Sequence, residues 1–258
     1  MKPYVETAGA GPDLVLLHGW GLHGGIFDTL VPALADDFRV HVVDLPGFGR
    51  SAMPEPMHLD SLIDGVLAIL PERAHLLGWS LGGMVAMGLA ARHGERVSRL
   101  VTVASQPCFH QAGDWPDAMA MDVLERFTVQ LEQDYAQTLD RFIALQAMGS
   151  ETARDDVRRL REILPQHGAA NPAALRAGLA ILHDADLRAE LAAIHAPWLR
   201  LYGKLDGLVP VRSAARHGEL APASREHIFP KASHAPFISH RADFLAVVHA
   251  FLNEPAHD

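Results

Sequence analysis

The stretch 74-AHLLGWSLGGMVAMGLAARH-93 decides the fold of this chain. Its first part is a short apolar run, which is typical of a buried strand, and its second part has the composition of a helix. Ser80 stands at the junction, between Gly78 and Gly82, with Gly83 following. A serine among small residues at a sharp strand-to-helix turn is typical of a nucleophile elbow. A Gly-x-Ser-x-Gly sequence also arises by chance in loops, but the strand before it and the helix after it favour Ser80 as a nucleophile.

Apolar runs of the same kind lie on both sides of this stretch. They predict strands at 13–19, 38–47, 74–80, 98–105, 197–207 and 225–230. Near-continuous valine and leucine indicate burial on both faces, as in a parallel sheet. Helical patterns at 59–70 and 81–93 separate the early strands, and a helix at 242–252 closes the chain. This alternation predicts an α/β fold with a mostly parallel, doubly wound sheet.

The middle of the chain, residues 114–191, carries no strand signal. Apolar residues recur there at steps of three and four, which predicts one long helix with an apolar face: Leu124, Phe127, Leu131, Tyr135, Leu139 and Phe142. A second helix is predicted over 151–164, and a third begins near Asn171, followed by Pro172. We predict an all-helical cap over 114–191, inserted into a core formed by 1–113 and 192–258.

Composition excludes several classes of protein. The chain has 258 residues and a formal net charge of −9, so we expect no nucleic-acid partner. Its 16 histidines show no metal-ligand spacing, and we expect neither a metal nor a cofactor. Cys108, the single cysteine, allows no intrachain disulfide and is either a buried small hydrophobe or a mildly reactive thiol. The chain shows neither a signal peptide nor a spanning segment, so we expect a cytoplasmic monomer that binds no membrane.

The sequence 18-HGW-20 follows the first strong strand. In a serine hydrolase of this architecture, one oxyanion-hole N–H comes from this loop and another from the residue after the nucleophile. This assigns the two donors to Trp20 and Leu81. The alternative is a simple glycine turn after a strand.

The general base and its partner are predicted from chain order, which in this fold is serine, then an acid, then histidine. Asp206 follows the strand 198-WLRLYG-203, and His234 lies in the loop 231-KASHAPF-237. Both lie where strands end at their carboxyl edge, so we predict that Asp206 orients His234. The competing residues are less favoured by position: Asp44, Asp184, Asp186, His227 and His240.

Several longer stretches carry a family resemblance. They are 14-LVLLHGWGL-22, 41-HVVDLPGFGRS-51, 77-LGWSLGG-83, 99-RLVTVAS-105, 197-PWLRLYGKLDGLVP-210 and 231-KASHAPFISH-240. With them the chain resembles the α/β-hydrolase family and, more narrowly, the pimeloyl-acyl-carrier-protein methyl ester esterases of biotin synthesis. The resemblance covers about 14–252. It implies that Ser80 attacks the methyl ester, that methanol leaves, and that the pimeloyl chain stays on its carrier.

The resemblance also implies roles for the cap. Residues that line the acyl chain would be Trp20, Ser80, Leu81, Phe142, Ile143, Ala144, Leu145, Gln146 and His234. Residues that dock acyl carrier protein would be Arg141, Arg154 and Arg158, while Gln137 replaces a further arginine of the family. Two other interpretations stay open. Phe142 could pack only the cap core, and the arginine face, which also carries Asp155 and Asp156, could simply be solvated.

Other functions are compatible with the same residues. Within enzymes they are a broad short-chain carboxylesterase, with small esters as substrates, and a carbon–carbon bond hydrolase. Dehalogenases and epoxide hydrolases of this fold carry an aspartate at the nucleophile position, so Ser80 argues against them. A non-catalytic ligand receptor on a hydrolase fold is the alternative from another class.

Overall fold

The computed structural model describes residues 2–168 and 170–255. Within them the chain forms a seven-stranded sheet whose strands are β1 Val5–Ala8, β2 Asp13–Leu17, β3 Arg39–Val43, β4 Ala74–Trp79, β5 Val97–Val103, β6 Trp198–Gly203 and β7 Arg225–Phe229. Their order is β1-β3-β2-β4-β5-β6-β7. All neighbours are parallel except β1, which pairs with β3 in the antiparallel sense. The predicted mostly parallel sheet is confirmed, together with its six predicted strands.

Helices cover both faces of the sheet. They are α1 Val31–Leu34, α2 Leu59–Leu67, α3 Leu81–Arg92, α4 Met121–Gln133, α5 Tyr135–Ala147, α6 Ala153–Ile163, α7 Pro172–Asp184, α8 Ser213–Leu220, α9 Pro236–Ser239 and α10 Arg241–Leu252. Successive residues of β4 are buried on opposite faces of the sheet. Leu76 belongs to one apolar cluster and Leu77 to the other, and both are fully buried. Two-sided burial explains why the central strands read as continuous apolar runs.

The four helices α4 to α7 lie between β5 and β6 in the chain. The prediction of one long helix through 124–142 is wrong. Asp134 has an extended backbone, with φ −155°, and its carboxylate accepts a hydrogen bond from the N–H of Gln137, so α4 ends and α5 begins there. Tyr135, predicted on the apolar face, is 40% exposed.

The predicted start of α7 is confirmed. Pro172 is its first residue, and the side-chain oxygen of Asn171 accepts a hydrogen bond from the N–H of Ala173. The division into a core and a cap at residues 114 and 191 stays a prediction.

Three further findings concern the described part of the chain. No helix in it is both long and apolar enough to cross a membrane. No group of three histidine, cysteine, aspartate or glutamate side chains there could hold a metal ion. Cys108 is fully buried, and burial raises the pKa of its thiol, which keeps it protonated and favours the small-hydrophobe interpretation.

Candidate active site

Ser80 occupies a strained turn between β4 and α3. Its φ of 54° and ψ of −118° lie outside the regions that side-chain-bearing residues prefer. Such strain persists only where surrounding contacts hold it. The Ser80 N–H donates to the carbonyl of Val103 at 2.9 Å, and the Ser105 hydroxyl donates to the Ser80 carbonyl at 2.7 Å. The end of β5 therefore holds the backbone of the predicted nucleophile on both sides.

The glycines around Ser80 are required by close backbone packing. A Cβ atom on Gly78 would lie 2.3 Å from the carbonyl oxygen of Gly82. On Gly82 it would lie 2.3 Å from the carbonyl oxygen of Leu17, and on Gly83 2.5 Å from the Cβ of Ser105. The Gly-x-Ser-x-Gly-Gly pattern is thus explained by the contact of α3 with the ends of β2, β4 and β5.

Asp206 and His234 meet at the carboxyl edge of the sheet. Nδ1 of His234 lies 2.7 Å from Oδ2 of Asp206, and both side chains are only 1% exposed. The other carboxylate oxygen, Oδ1, accepts from the N–H groups of Leu208 at 2.8 Å and Val209 at 3.0 Å. Hydrogen bonding at Nδ1 selects the tautomer in which Nε2 is the free acceptor.

Nε2 of His234 is buried and has no hydrogen-bond partner within residues 2–168 and 170–255. Its lone pair is therefore available to take a proton. The backbone of His234 is held from two sides: the Trp79 indole N–H donates to its carbonyl at 2.8 Å, and its N–H donates to the Gln146 carbonyl at 3.0 Å. Since no hydrogen bond joins Ser80 to this nitrogen in the described part, the complete triad stays a prediction.

The two predicted oxyanion donors lie beside Ser80. Within the described residues, neither the Trp20 N–H nor the Leu81 N–H is hydrogen-bonded to another protein group. Leu81 is the first residue of α3, so its N–H belongs to the positive end of the helix. A Cβ on Gly19 would lie 3.2 Å from the Cβ of Ser80, which brings the loop of Trp20 against the predicted nucleophile.

Comparison with known proteins identifies the family. Residues 12–241 match the alpha/beta hydrolase fold family. The chain is 52% identical to the pimeloyl-[acyl-carrier protein] methyl ester esterase of Aeromonas hydrophila subsp. hydrophila, over 98% of this chain and 100% of that protein. The enzyme of that name from Vibrio atlanticus is 47% identical, over 96% and 97%. The chain belongs to this esterase family of the alpha/beta hydrolases.

Family membership makes the chain a carboxylic ester hydrolase. The solved esterase from Exiguobacterium antarcticum superposes with a TM-score of 0.87 at 24% identity, covering 97% of this chain and 95% of that one. At that identity the superposition shows the shared fold alone. The match to the esterase family, and not this superposition, favours a carboxylesterase over the carbon–carbon bond hydrolase.

His18 is a site residue that the sequence did not reveal. In this esterase it is fully buried, its Nδ1 lies 2.8 Å from the carbonyl oxygen of Gly19, and its Nε2 accepts from the N–H of Leu45 at 2.9 Å. Burial lowers its pKa to about 4, so the ring is neutral near pH 7. The only sequence signal was a histidine at the end of a strand, and nothing there identified its partners.

The side chain of Trp20 connects the sheet domain of the esterase to the helices above it. Its indole N–H donates to the Leu175 carbonyl at 2.8 Å, and its ring lies 4.7 Å from that of Phe142. A Cβ on Gly178 would lie 2.6 Å from Cδ1 of Trp20. Phe142 also contacts Phe127, with ring centroids 5.6 Å apart, so it packs helix α4 as well as facing Trp20.

The residues of the predicted acyl-lining segment of α5 lie in three different surroundings. The Phe142 ring contacts Trp20, and the backbone carbonyl of Gln146 accepts a hydrogen bond from the His234 N–H, so both residues contact predicted site residues. Ile143 is fully buried in the other apolar cluster. Ala144 and Leu145 line a groove between α4 and α5 instead.

The predicted docking arginines of the esterase lie on two different helices, α5 and α6. Arg141 lines the same groove between α4 and α5. Arg158 pairs with Asp155 at 3.0 Å within α6, and Arg154 makes no ion pair in the described part of the chain. Their role in docking stays a prediction.

Proposed function

We propose that this chain hydrolyses the methyl ester of a pimeloyl group carried on acyl carrier protein, with Ser80, His234 and Asp206 as its catalytic residues. Two observations support this. Relatives of that name match at 52% and 47% identity over nearly their whole length. The Asp206–His234 hydrogen bond leaves a buried, unpartnered Nε2 on the histidine, which is the atom a general base needs.

In the first half-reaction the Ser80 hydroxyl oxygen attacks the ester carbonyl carbon while Nε2 of His234 takes its proton. The negative charge that develops on the carbonyl oxygen is stabilised by the N–H groups of Trp20 and Leu81. One such donor typically contributes about 3 kcal/mol to lowering the barrier. The C–O bond to the methoxy group then breaks, and His234 returns the proton, so that methanol leaves and an acyl-Ser80 remains.

In the second half-reaction a water molecule replaces methanol. His234 takes a proton from the water, whose oxygen attacks the acyl carbon, and the proton then returns to the Ser80 oxygen as the acyl–enzyme bond breaks. The product carries a free terminal carboxylate, while the thioester to the carrier is untouched. Asp206 keeps Nδ1 protonated throughout and stabilises the transient imidazolium.

The observation that carries the proposal is the state of His234. An unpaired buried ring nitrogen is not enough to identify a general base, because His75 and His217 each leave one without a partner in the described residues as well. In that part of the chain neither of them bonds a carboxylate, whereas Nδ1 of His234 is bound to buried Asp206 at 2.7 Å and its Nε2 is left open. This arrangement suits proton transfer at Nε2.

Methanol release from methyl pimeloyl-acyl-carrier protein tests the proposal. The purified protein should release one methanol per ester, and Ser80→Ala should abolish turnover. An inactive wild-type protein would support the receptor interpretation instead. A Ser80→Ala variant with full turnover would exclude Ser80 as the nucleophile and so contradict the proposed mechanism. Turnover of short p-nitrophenyl esters without turnover of the carrier-linked ester would indicate the broad carboxylesterase. Rescue of a biotin-requiring strain that lacks its own methyl ester esterase tests the same activity in cells.

A further inference from the structure

The groove between α4 and α5 has no role in the chemistry described above. Its volume is about 610 Å³, and it is lined among others by Val123, Arg126, Phe127, Arg141, Leu145 and Met148. The lining is mostly apolar, with two guanidinium groups. An open groove of this composition suits a ligand that has an apolar body and an anionic group.

The two arginines come from different helices. Arg126 belongs to α4 and pairs with Asp122, one turn earlier, at 2.9 Å, with both side chains about two-thirds exposed. An exposed pair of this kind is weak, so Asp122 competes poorly with a bound anion. Arg141 belongs to α5 and makes no ion pair in the described part of the chain. Two guanidinium groups facing one groove can bind a phosphate with several charge-assisted hydrogen bonds.

The apolar side chains of the groove differ in their exposure to solvent. Met148 is 55% exposed at the end of α5, whereas Phe127 is buried in the wall. An exposed, flexible methionine next to apolar walls is typical of a surface that binds a partner. The groove therefore offers hydrophobic contact as well as charge.

Side chains of the groove wall are connected by direct contacts to residues of the predicted active site. The ring of Phe127 contacts Phe142, which in turn contacts Trp20. Leu145, in the groove wall, precedes Gln146, whose carbonyl holds the backbone N–H of His234 at 3.0 Å. A ligand seated in the groove is thus next to the segment that holds the predicted general base.

We propose that this groove binds the phosphorylated end of the carrier's prosthetic arm, with the phosphodiester between Arg126 and Arg141. This rests on the proposed function, because an ester on acyl carrier protein is attached through phosphopantetheine. The arm has a single phosphodiester followed by a dimethyl-branched, amide-linked chain, which matches two cations above an apolar floor. Arg126 and Arg141 then both bind the arm, so Arg141, which the resemblance assigns to carrier docking, would hold the carrier through its prosthetic group. Arg154 and Arg158 of α6 would contact the carrier itself.

Two small substrates test the site without the carrier: methyl pimeloyl-4′-phosphopantetheine and methyl pimeloyl-pantetheine, which lacks the phosphate. Methanol release is measured for both. The wild-type protein should have a lower KM for the phosphorylated ester. In Arg126→Gln and Arg141→Gln, that KM should rise about three- to tenfold, as expected for a lost charge-assisted hydrogen bond. The ratio of the two KM values should then approach one.

Arg159→Gln is the matched control, because Arg159 is an exposed arginine on α6 that does not line the groove. It should keep the wild-type ratio. Equal KM values in the wild type, an unchanged ratio in both groove variants, or an equal effect of Arg159→Gln would each overturn the groove proposal while leaving the esterase function intact. If neither ester releases methanol, the proposed function fails and this site fails with it.

Discussion

Nδ1 of His18 lies 2.8 Å from the carbonyl oxygen of Gly19, and this contact bears on the N–H of Trp20. The Gly19 carbonyl and the Trp20 N–H belong to one planar trans peptide unit, so they point in opposite directions. Because the neutral His18 ring donates at Nδ1 and accepts from Leu45 at Nε2, it fixes the orientation of that plane. His18 therefore acts as a positioning residue for a predicted oxyanion donor.

Replacing His18 by leucine should reduce kcat about ten- to a hundredfold with little change in KM. The reason is that a misdirected Trp20 N–H weakens stabilisation of the oxyanion more than it weakens substrate binding. His18→Asn should retain more kcat, since its amide N–H can take the place of Nδ1. Steady-state kinetics on a small methyl ester, with thermal unfolding as a check of folding, separates the two variants. Equal losses in both would argue for packing alone.

The low pKa of His18 also predicts a pH dependence of stability. The unfolded chain binds a proton on this residue below about pH 6.5, whereas the folded chain resists protonation down to about pH 4. The folded-state pKa is thus depressed, so the contribution of His18 to stability is complete above pH 6.5 and is lost as the pH falls towards 4. From pH 7 to pH 5 this single group should lower the free energy of unfolding by about 2 kcal/mol.

Urea unfolding at both pH values, in the wild type and in His18→Asn, measures that contribution. His23, His75 and His217 also have lowered pKa values, and because they are present in both proteins their contributions cancel in the difference. The stability of the variant should therefore fall less between pH 7 and pH 5. A parallel decline in the two proteins would contradict the assignment.

Asp206→Asn should lower kcat by about 10³- to 10⁴-fold in a folded protein. The asparagine oxygen can still accept from the N–H groups of Leu208 and Val209, which turns its NH₂ towards Nδ1 of His234. That contact favours the tautomer with the proton on Nε2, which cannot act as a base. Asp184→Asn, a change at an exposed carboxylate of α7, is the control and should keep wild-type kcat. Retained turnover in Asp206→Asn would remove this residue from the triad.

Gly178→Ala should impair the esterase through Trp20. The added methyl group would lie 2.6 Å from Cδ1 of the indole, so the ring must move away from α7. Since Trp20 also supplies a predicted oxyanion donor, a shift of this kind should reduce kcat/KM about tenfold. Gly94→Ala is the matched control, because its added methyl would meet nothing within 4 Å. Wild-type kinetics in Gly178→Ala would show that the Trp20 side chain can move freely.

The contacts around Ser80 explain why the fold could be predicted from sequence. Central strands buried on both faces have unambiguous apolar runs, and a Cβ atom added to any of the elbow glycines would lie only 2.3 to 2.5 Å from a neighbouring atom. Strand β1 escaped prediction because its four residues, VETA, lie at the sheet edge and none is fully buried. Edge strands carry little of the periodicity on which such predictions depend.

The break between α4 and α5 could not be found from periodicity alone. Leu131, Tyr135 and Leu139 keep helical spacing across Asp134, so the apolar pattern continues in phase although the helix ends. Asp134 with Gln137 was the available signal, since an aspartate often caps a helix start. The contact of His18 with Leu45 and the contact of Gly178 with Trp20 join residues far apart in the chain. Contacts of this kind cannot be predicted from a local sequence pattern.

Reversing charge on α6 tests the predicted docking of the carrier. Arg154→Glu/Arg158→Glu should reduce kcat/KM for carrier-linked methyl pimelate about ten- to a hundredfold more than for a free methyl ester, because an acidic carrier is then repelled. Arg158 loses only exposed partners, at 3.0 Å in Asp155 and 3.9 Å in Glu162, so folding should be little affected. Arg176→Glu, on exposed α7 surface, is the control. Equal losses on both substrates would mean that these arginines stabilise the cap and do not bind the carrier.

The dependence on salt provides a second test of the same contact. Because an interaction between surface charges is screened by salt, the KM of the wild-type protein for the carrier substrate should rise with ionic strength. The double variant, which lacks the two positive charges, should show a smaller rise.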